Sequence, residues 1–215
     1  MYLSEVEAAA IDQRIARLES RTGVQVVTAV VGKSDSYAEL PWKAFALGAA
    51  LAGLAVVGAD VARPQWVTAH TALVGAVGIL GAGAMFALLA VFSPHFARLY
   101  LHEDRRDVEV GQYADSLFLR HELFGTRART GVLVLISLFE RRIEIRPDTG
   151  LHASIGQTEW DAVIAPMTSR LRDASPARAF EDGLAALEDL LVAKGFQPGD
   201  GVDQLPNRPI EERGE

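Results

Sequence analysis

The sequence predicts an α/β protein: a small mixed sheet flanked by helices and interrupted by a two-helix transmembrane hairpin. Three observations lead there. Two long uncharged runs stand in tandem between Trp42 and Phe92. The chain on either side of them is charged and carries helical and strand periods. Neither flank alone holds enough strands for a sheet. The economical arrangement is one discontinuous domain, residues 4–40 and 98–196, split by membrane helices at 43–62 and 67–92.

The elements follow in chain order. Ser4-Glu5-Val6-Glu7 is a capping-box pattern. Val6, Ala10, Ile11, Ile15 and Leu18 continue it at helical spacing, which predicts a helix over about 5–20. Thr22-Gly23 breaks it, and the β-branched run Val24 to Val31 reads as a strand. Gly32 to Ser36 is a polar loop.

From Ala44 to Ala59 no residue is charged, and Val67 to Phe92 carries no full charge. A helix of roughly 20 residues covers the ~30 Å hydrocarbon core of a bilayer. Two such runs, rich in Gly and Ala, are hard to bury inside so small a protein. Trp42 and Trp66 stand at their starts, where indole rings favour the membrane interface. Asp60, Arg63 and Pro64 make a short polar turn, so the helices are antiparallel neighbours. The small pairs Gly48/Ala52, Ala49/Gly53 and Gly78/Ala82 allow close approach. Lys33 and Lys43 precede the hairpin and Arg98, Arg105 and Arg106 follow it, against Arg63 alone in the turn. The positive-inside rule then puts both termini in the cytoplasm and the turn outside. Residues 1–20 are charged and lack the apolar stretch of a signal peptide.

Beyond the hairpin, 103–123 reads as a helix with Val108, Ala114, Leu117, Phe118 and His121 towards one side. Val132 to Phe139 is almost continuously apolar, as a strand covered on both faces should be. Glu140-Arg141 is a tight turn. Ile143 and Ile145 alternate with Arg142, Glu144 and Arg146, which predicts a half-exposed strand ended by Pro147-Asp148-Thr149-Gly150. A helix over 157–172 carries Trp160, Val163, Ile164 and Met167. Another starts at Ser175-Pro176, aligns Phe180, Leu184, Leu187 and Leu191, and stops at Gly195. Residues 197–215 hold Pro, Gly and charge with few apolar anchors, which predicts a disordered tail.

A net charge of −7 argues against a nucleic-acid partner, which needs a basic surface. The absence of cysteine removes disulfides, thiol catalysis and cysteine metal sites. No Walker loop, Gly-x-Gly-x-x-Gly, HExxH or Gly-x-Ser-x-Gly occurs. His70, close to the end of a membrane run, reads as an interfacial polar residue.

The stretch Arg129-Thr130-Gly131-Val132-Leu133-Val134-Leu135-Ile136-Ser137-Leu138-Phe139-Glu140-Arg141-Arg142-Ile143-Glu144-Ile145 resembles the core of the TPM domain family. Thr22 to Val27, Trp160 and Phe180-Glu181-Asp182-Gly183-Leu184 also suit it. The likeness covers about residues 4–196 outside the hairpin, and is to a bacterial branch in which two transmembrane helices interrupt the domain, which implies a bacterial inner membrane. It implies a small sheet between helices. Some members are reported as acid phosphatases, some bind divalent cations, and others resemble accessory factors of membrane complexes. The glycine-rich, aspartate-containing stretch common after the third strand of secreted members is replaced here by Pro147 to His152.

If the strands at 24–31 and 132–139 are parallel, their carboxyl ends share one edge, bearing Ser34, Asp35, Glu140, Arg141 and Arg142. Ligands of open α/β sheets favour that edge. Asp148 then falls at the opposite edge, near Arg129 and Thr130, so Asp35 and Asp148 should not share one metal. Asp35 and Asp148 are the candidates for a metal or phosphate, with calcium or another divalent cation as the cofactor. Asp-x-Gly is equally ordinary turn chemistry. Arg141 and Arg142 are candidates for contact with anionic headgroups. The expected function is a membrane-tethered interaction or assembly module. Its partners would be the bilayer and a membrane protein or a second copy of the chain. The alternative is a phosphatase-like or divalent-metal-binding enzyme at the membrane surface.

Overall fold

Ser4 begins the first helix as its pattern predicts. Its hydroxyl accepts the Glu7 amide at 3.3 Å, and Glu7 Oε2 accepts the Ser4 amide at 2.8 Å. Helix α1 runs Glu5–Thr22 and ends at Gly23, whose φ of 69° is a left-handed cap that glycine adopts without a Cβ clash. The computed structural model describes residues 2–64, 68–152, 154–172, 175–198 and 204–214. They form two units, Met1–Asp35 with Arg106–Glu215, and Ser36–Arg105.

The first unit is built on strands β1 (Gln25–Lys33), β2 (Gly131–Ser137), β3 (Arg142–Pro147) and β4 (Ile210–Gly214), in the order β3-β2-β1-β4. β1 pairs parallel with β2 from Gln25↔Gly131 to Val31↔Ser137. β3 returns antiparallel, with Ile136 opposite Ile143. The sheet is therefore mixed, and the parallel pair joins residues that lie on opposite sides of the hairpin in the sequence.

Alternation along the strands fills two cores. Val26, Val30, Val132, Val134, Ile136, Ile143 and Ile145 pack with α1, the one-turn α6 (Thr149–His152), α7 (Gln157–Arg172) and α8 (Pro176–Ala193). Val27, Ala29, Val31, Leu133 and Leu135 pack on the other face with α5 (Glu103–Arg120). Phe180, Leu184, Leu187 and Leu191 of α8 are all buried, as their spacing predicts. Each such side chain contributes about 1.5–3 kcal/mol. Gly183 lets α7 lie close against α8: a Cβ there would overlap Met167.

Two other faces keep Ile11, Ile15 and Leu18 of α1 and Ala114 and Leu117 of α5 buried as expected, and differ towards their N-terminal ends. In α1 the buried stripe is Ala8, Ile11, Ile15 and Leu18, and Val6 is exposed. In α5 Val110, Gly111, Ala114 and Leu117 face the sheet while Val108 is exposed. Helical spacing counted back from the strongest apolar residues selects Ala8 and Val110. Residues 204–214 depart furthest from expectation. Instead of a disordered tail they supply β4, parallel to β1, with Ala29↔Ile210 and Lys33↔Gly214. Local composition hides this because the segment is held by polar groups. Gln25 Oε1 accepts the Gln204 and Leu205 amides at 2.7 and 3.2 Å. Glu211 takes the Tyr2 amide, and Glu212 takes the Tyr113 hydroxyl and Arg120 Nη1.

The second unit contains α2 (Glu39–Ala62), α3 (Ala69–Phe92) and the short α4 (Pro94–Arg98). At 24 residues each, α2 and α3 are about 36 Å long. Both are long and apolar enough to cross a membrane, and only 11% of either apolar window is buried. Leu54, Val61, Leu73 and Phe92 are among the exposed side chains, which distinguishes the pair from the helices of a soluble core. Trp42 is exposed at the start of α2, whereas Trp66 and Val67 lie outside the described residues.

The helices pack as an antiparallel hairpin through small residues. A Cβ at Gly48 would lie 2.8 Å from the Ala82 carbonyl oxygen, and one at Gly83 would lie 2.7 Å from Phe45. Gly75 meets Val56 in the same way. Of the pairs expected at this contact, Gly48 and Ala82 are in it, but Gly78 has nothing within 4 Å of its Cβ position. Small-residue spacing recurs around both helices, so spacing alone does not select the contact face. Gly48→Val should therefore destabilise the hairpin by about 1–3 kcal/mol through overpacking. Gly78→Val should be close to neutral. Thermal unfolding of the two variants in detergent checks the contrast.

Candidate functional site

The shared carboxyl edge of β1 and β2 is closed by a short polar network. After Val31 the ladder continues into the turn, where the Leu138 amide donates to Val31 O at 3.0 Å and the Phe139 amide to Gly32 O at 2.9 Å. This draws the turn over the sheet edge and folds Glu140 inside, at 1% exposure. Its Oε1 accepts the Ser34 amide at 2.9 Å, and its Oε2 accepts the Ser137 hydroxyl. The Ser34 and Ser137 hydroxyls are 3.0 Å apart. Both carboxylate oxygens are thus matched by internal donors, as a buried carboxylate requires. Asp35 is half-buried beside this network.

Arg141 and Arg142 diverge. Arg141 is exposed and sits at φ 53°, a left-handed turn position. Arg142 turns to α5 and pairs with Asp107 at 2.9 Å. It begins a charged strip across the α5 side of β3. Arg146 meets Asp115 at 2.7 Å and also pairs with Glu144. Gly111 opens the helix surface for Arg146, whose Nη2 would lie 2.9 Å from a Cβ there. Burial raises the pKa of Glu144, and Asp115 and Asp107 add to the rise. Arg146 and Arg142 oppose it.

Asp148 lies at the other end of the sheet. Its amide donates to Gly131 O at 2.8 Å, at the start of β2, while Asp35 follows the end of β1. The seven-residue β2 therefore separates the two aspartates by roughly 20 Å. Asp148 is 3% exposed. Its Oδ1 accepts the Thr149 amide at 2.6 Å. Its Oδ2 is 2.9 Å from Arg129 Nε, whose N–H is not aligned with it, so this contact is an ion pair rather than a hydrogen bond. Arg129 is itself left-handed at φ 54°, and its carbonyl accepts the Gly150 amide at 2.9 Å. A Cβ at Gly150 would lie 2.5 Å from that carbonyl oxygen. Asp148-Thr149-Gly150 is thus a clasp between the entrance of β2 and the exit of β3.

Three acidic positions lie outside the sequence expectation. Glu188 is 2% exposed and receives Arg14 and Arg21 of α1. Glu19 caps the sheet edge by accepting the Val26 amide at 2.9 Å. Glu144 belongs to the charged strip. A signal existed for Glu188, which falls on the Leu184–Leu187–Leu191 face, where a lone charge needs a partner. Among the described residues no group of three or more His, Asp or Glu is placed to hold a metal ion.

Fold and edges together define a mixed-sheet α/β domain interrupted by an apolar helical hairpin. Residues 97–190 match the family model of the TPM domain. The BA42 protein of the psychrophilic bacterium Bizionia argentinensis, solved by NMR, has a similar fold. The TM-score is 0.59 at 14% identity, over 98% of this chain and 96% of that one. That likeness concerns the fold alone. No curated protein matches the chain.

The charged strip carries a pH dependence. A carboxyl whose folded pKa lies above its unfolded value near 4.5 binds protons more strongly in the native state. Its contribution to stability is full below that unfolded value and is lost as pH rises through the folded pKa. Glu144→Gln, which keeps the neutral shape, should flatten this decline and raise stability at neutral pH relative to the parent protein. Denaturant unfolding of both proteins across pH 4 to 8 measures it.

Proposed function

We propose that the protein is a membrane-tethered interaction module: α2 and α3 anchor a TPM domain that works by binding rather than by catalysis. One observation carries this reading. The buried acids at both sheet edges are used to hold the fold together. Glu140 ties β1 to the β2–β3 turn, and Asp148 ties Arg129 to Thr149. The exposed apolar side chains of the hairpin support the anchor. The excess of Lys and Arg before α2 and after α3 supports cytoplasmic placement of both termini, and the likeness to a bacterial branch with two inserted helices supports a bacterial inner membrane. Exposed Arg141 is the residue of that edge suited to anionic headgroups.

The chain lacks cysteine, so single introduced cysteines report topology cleanly. Ala62→Cys, beside the turn, should react with a membrane-impermeant maleimide on spheroplasts. Asp104→Cys should react only after lysis, and the reverse pattern overturns the orientation. The binding reading is tested on detergent-solubilised protein by hydrolysis of p-nitrophenyl phosphate with calcium, zinc or magnesium added. Turnover at the level of a protein-free control is expected. Turnover abolished by Asp35→Asn or Asp148→Asn would overturn the binding reading in favour of a phosphatase. So would a saturable, metal-dependent rise in Tm abolished by either variant.

A further inference from the structure

The outer edge of β1 is a strand-binding site with its own recognition chemistry, and residues 204–214 occupy it. The strand they form is attached in an unusual way. None of Ile210 to Gly214 is buried, and only Pro209 of the described segment is. Main-chain pairing from Ala29 to Lys33 supplies the register. Backbone amides and side chains then hold two consecutive acids pointing to opposite faces. The amides of Tyr2 and Leu3 receive Glu211 on one face, the latter at 3.3 Å. Tyr113 and Arg120 receive Glu212 on the other, Arg120 at 2.9 Å. Gln25 fixes the entry by accepting two successive amides, and Arg208 pairs with Glu5 at 2.9 Å. The site fits an extended segment that runs parallel to β1 and presents adjacent carboxylates.

We propose that this edge also accepts residues 204–214 of a second copy of the chain, giving a strand-exchanged dimer. A second copy matches the site chemically. It carries the same acids in the same register, so each hydrogen bond and ion pair that opens within one chain re-forms between two. Leu205 and Ile210 pack at the margin of the core on the α5 side, and the other anchors are peripheral and polar, so release of the strand uncovers that margin and leaves the buried residues of both cores in the rest of the domain. Seven residues, 197–203, join the end of the α8 segment to Gln204 and reach at most ~25 Å when extended. That reach requires the partner domain to be adjacent, a condition that anchoring of both copies in one membrane promotes. The proposal rests on the reading of the domain as an interaction module and names its partner.

Ala29 and Ile210 are register partners on the α5 side of the sheet. Neighbouring strands are about 4.8 Å apart, within the span of a disulfide. Copper-phenanthroline, added to isolated membranes in every case, supplies the oxidant that the reducing cytoplasm lacks; the double variant Ala29→Cys/Ile210→Cys should then form its disulfide, which verifies fold and register in the full-length protein in membranes. Two differently tagged chains, one carrying Ala29→Cys alone and the other Ile210→Cys alone, are then co-expressed. A mixed disulfide joining the two tags is expected, with a yield that rises with expression level. Adding Glu211→Gln/Glu212→Gln to the Ile210→Cys chain should reduce that yield several-fold. A double variant that oxidises only within one chain, with no mixed disulfide at any expression level, overturns strand exchange. Failure of the double variant to oxidise at all overturns the register on which the proposal stands. Either failure leaves the phosphate-ester and metal results intact, so the broader binding reading stands or falls separately.

Discussion

The parallel pairing of β1 with β2 is the constraint on which the rest of the domain depends. β1 is buried along most of its length, and its backbone groups must find partners inside the protein. Those partners come from a strand about a hundred residues later, on the far side of two apolar helices. Parallel strands need a long crossover, and here α5 and the hairpin both lie within it. The hairpin is therefore an insertion into one sheet rather than a linker between two domains. β3 completes the inner sheet antiparallel, and β4 covers the edge of β1 that would otherwise be open.

Placement of charge follows from that architecture. Where the sheet is covered on both faces, an acid is tolerated only with donors built around it. Glu140, Asp148 and Glu188 each stand at a junction: turn to sheet, loop to strand, helix to helix. Where α5 leaves the outer side of β3 less covered, the same strand carries Arg142, Glu144 and Arg146 against Asp107 and Asp115. The two faces of β3 thus obey opposite rules within six residues. Isoleucines close one core, and ion pairs fill the margin of the other.

The candidate residues were only partly legible. Asp35, Asp148, Arg141 and Arg142 stand out by position at strand ends, and the sheet does place the two aspartates at opposite edges. Position did not reveal what each side chain would meet. Arg142 faces Asp107, thirty-five residues earlier, and Asp148 faces Arg129. Both contacts depend on strand register and on the left-handed turns at Arg129 and Arg141. Those turns bear side chains rather than glycine, so no composition signal marked them.

By itself the sequence determined the apolar hairpin, the order of the long helices and of β1 to β3, and the faces of α7 and α8, because these rest on local periodicity and length. The TPM core was legible for the same reason, since its strand, turn and strand are contiguous from Gly131 to Ile145. Tertiary structure alone decided the membership of residues 210–214 in the sheet and the choice of Gly48 and Gly83 over Gly78 at the hairpin contact. It also decided the partners of the buried acids. Each of these is a long-range contact between polar or small residues, whose local pattern is the same whether the partner is water, lipid or protein. Alignment of β1 with β2 brings the Ser34 amide to Glu140, and pairing of β4 with β1 brings Tyr2 and Tyr113 to Glu211 and Glu212.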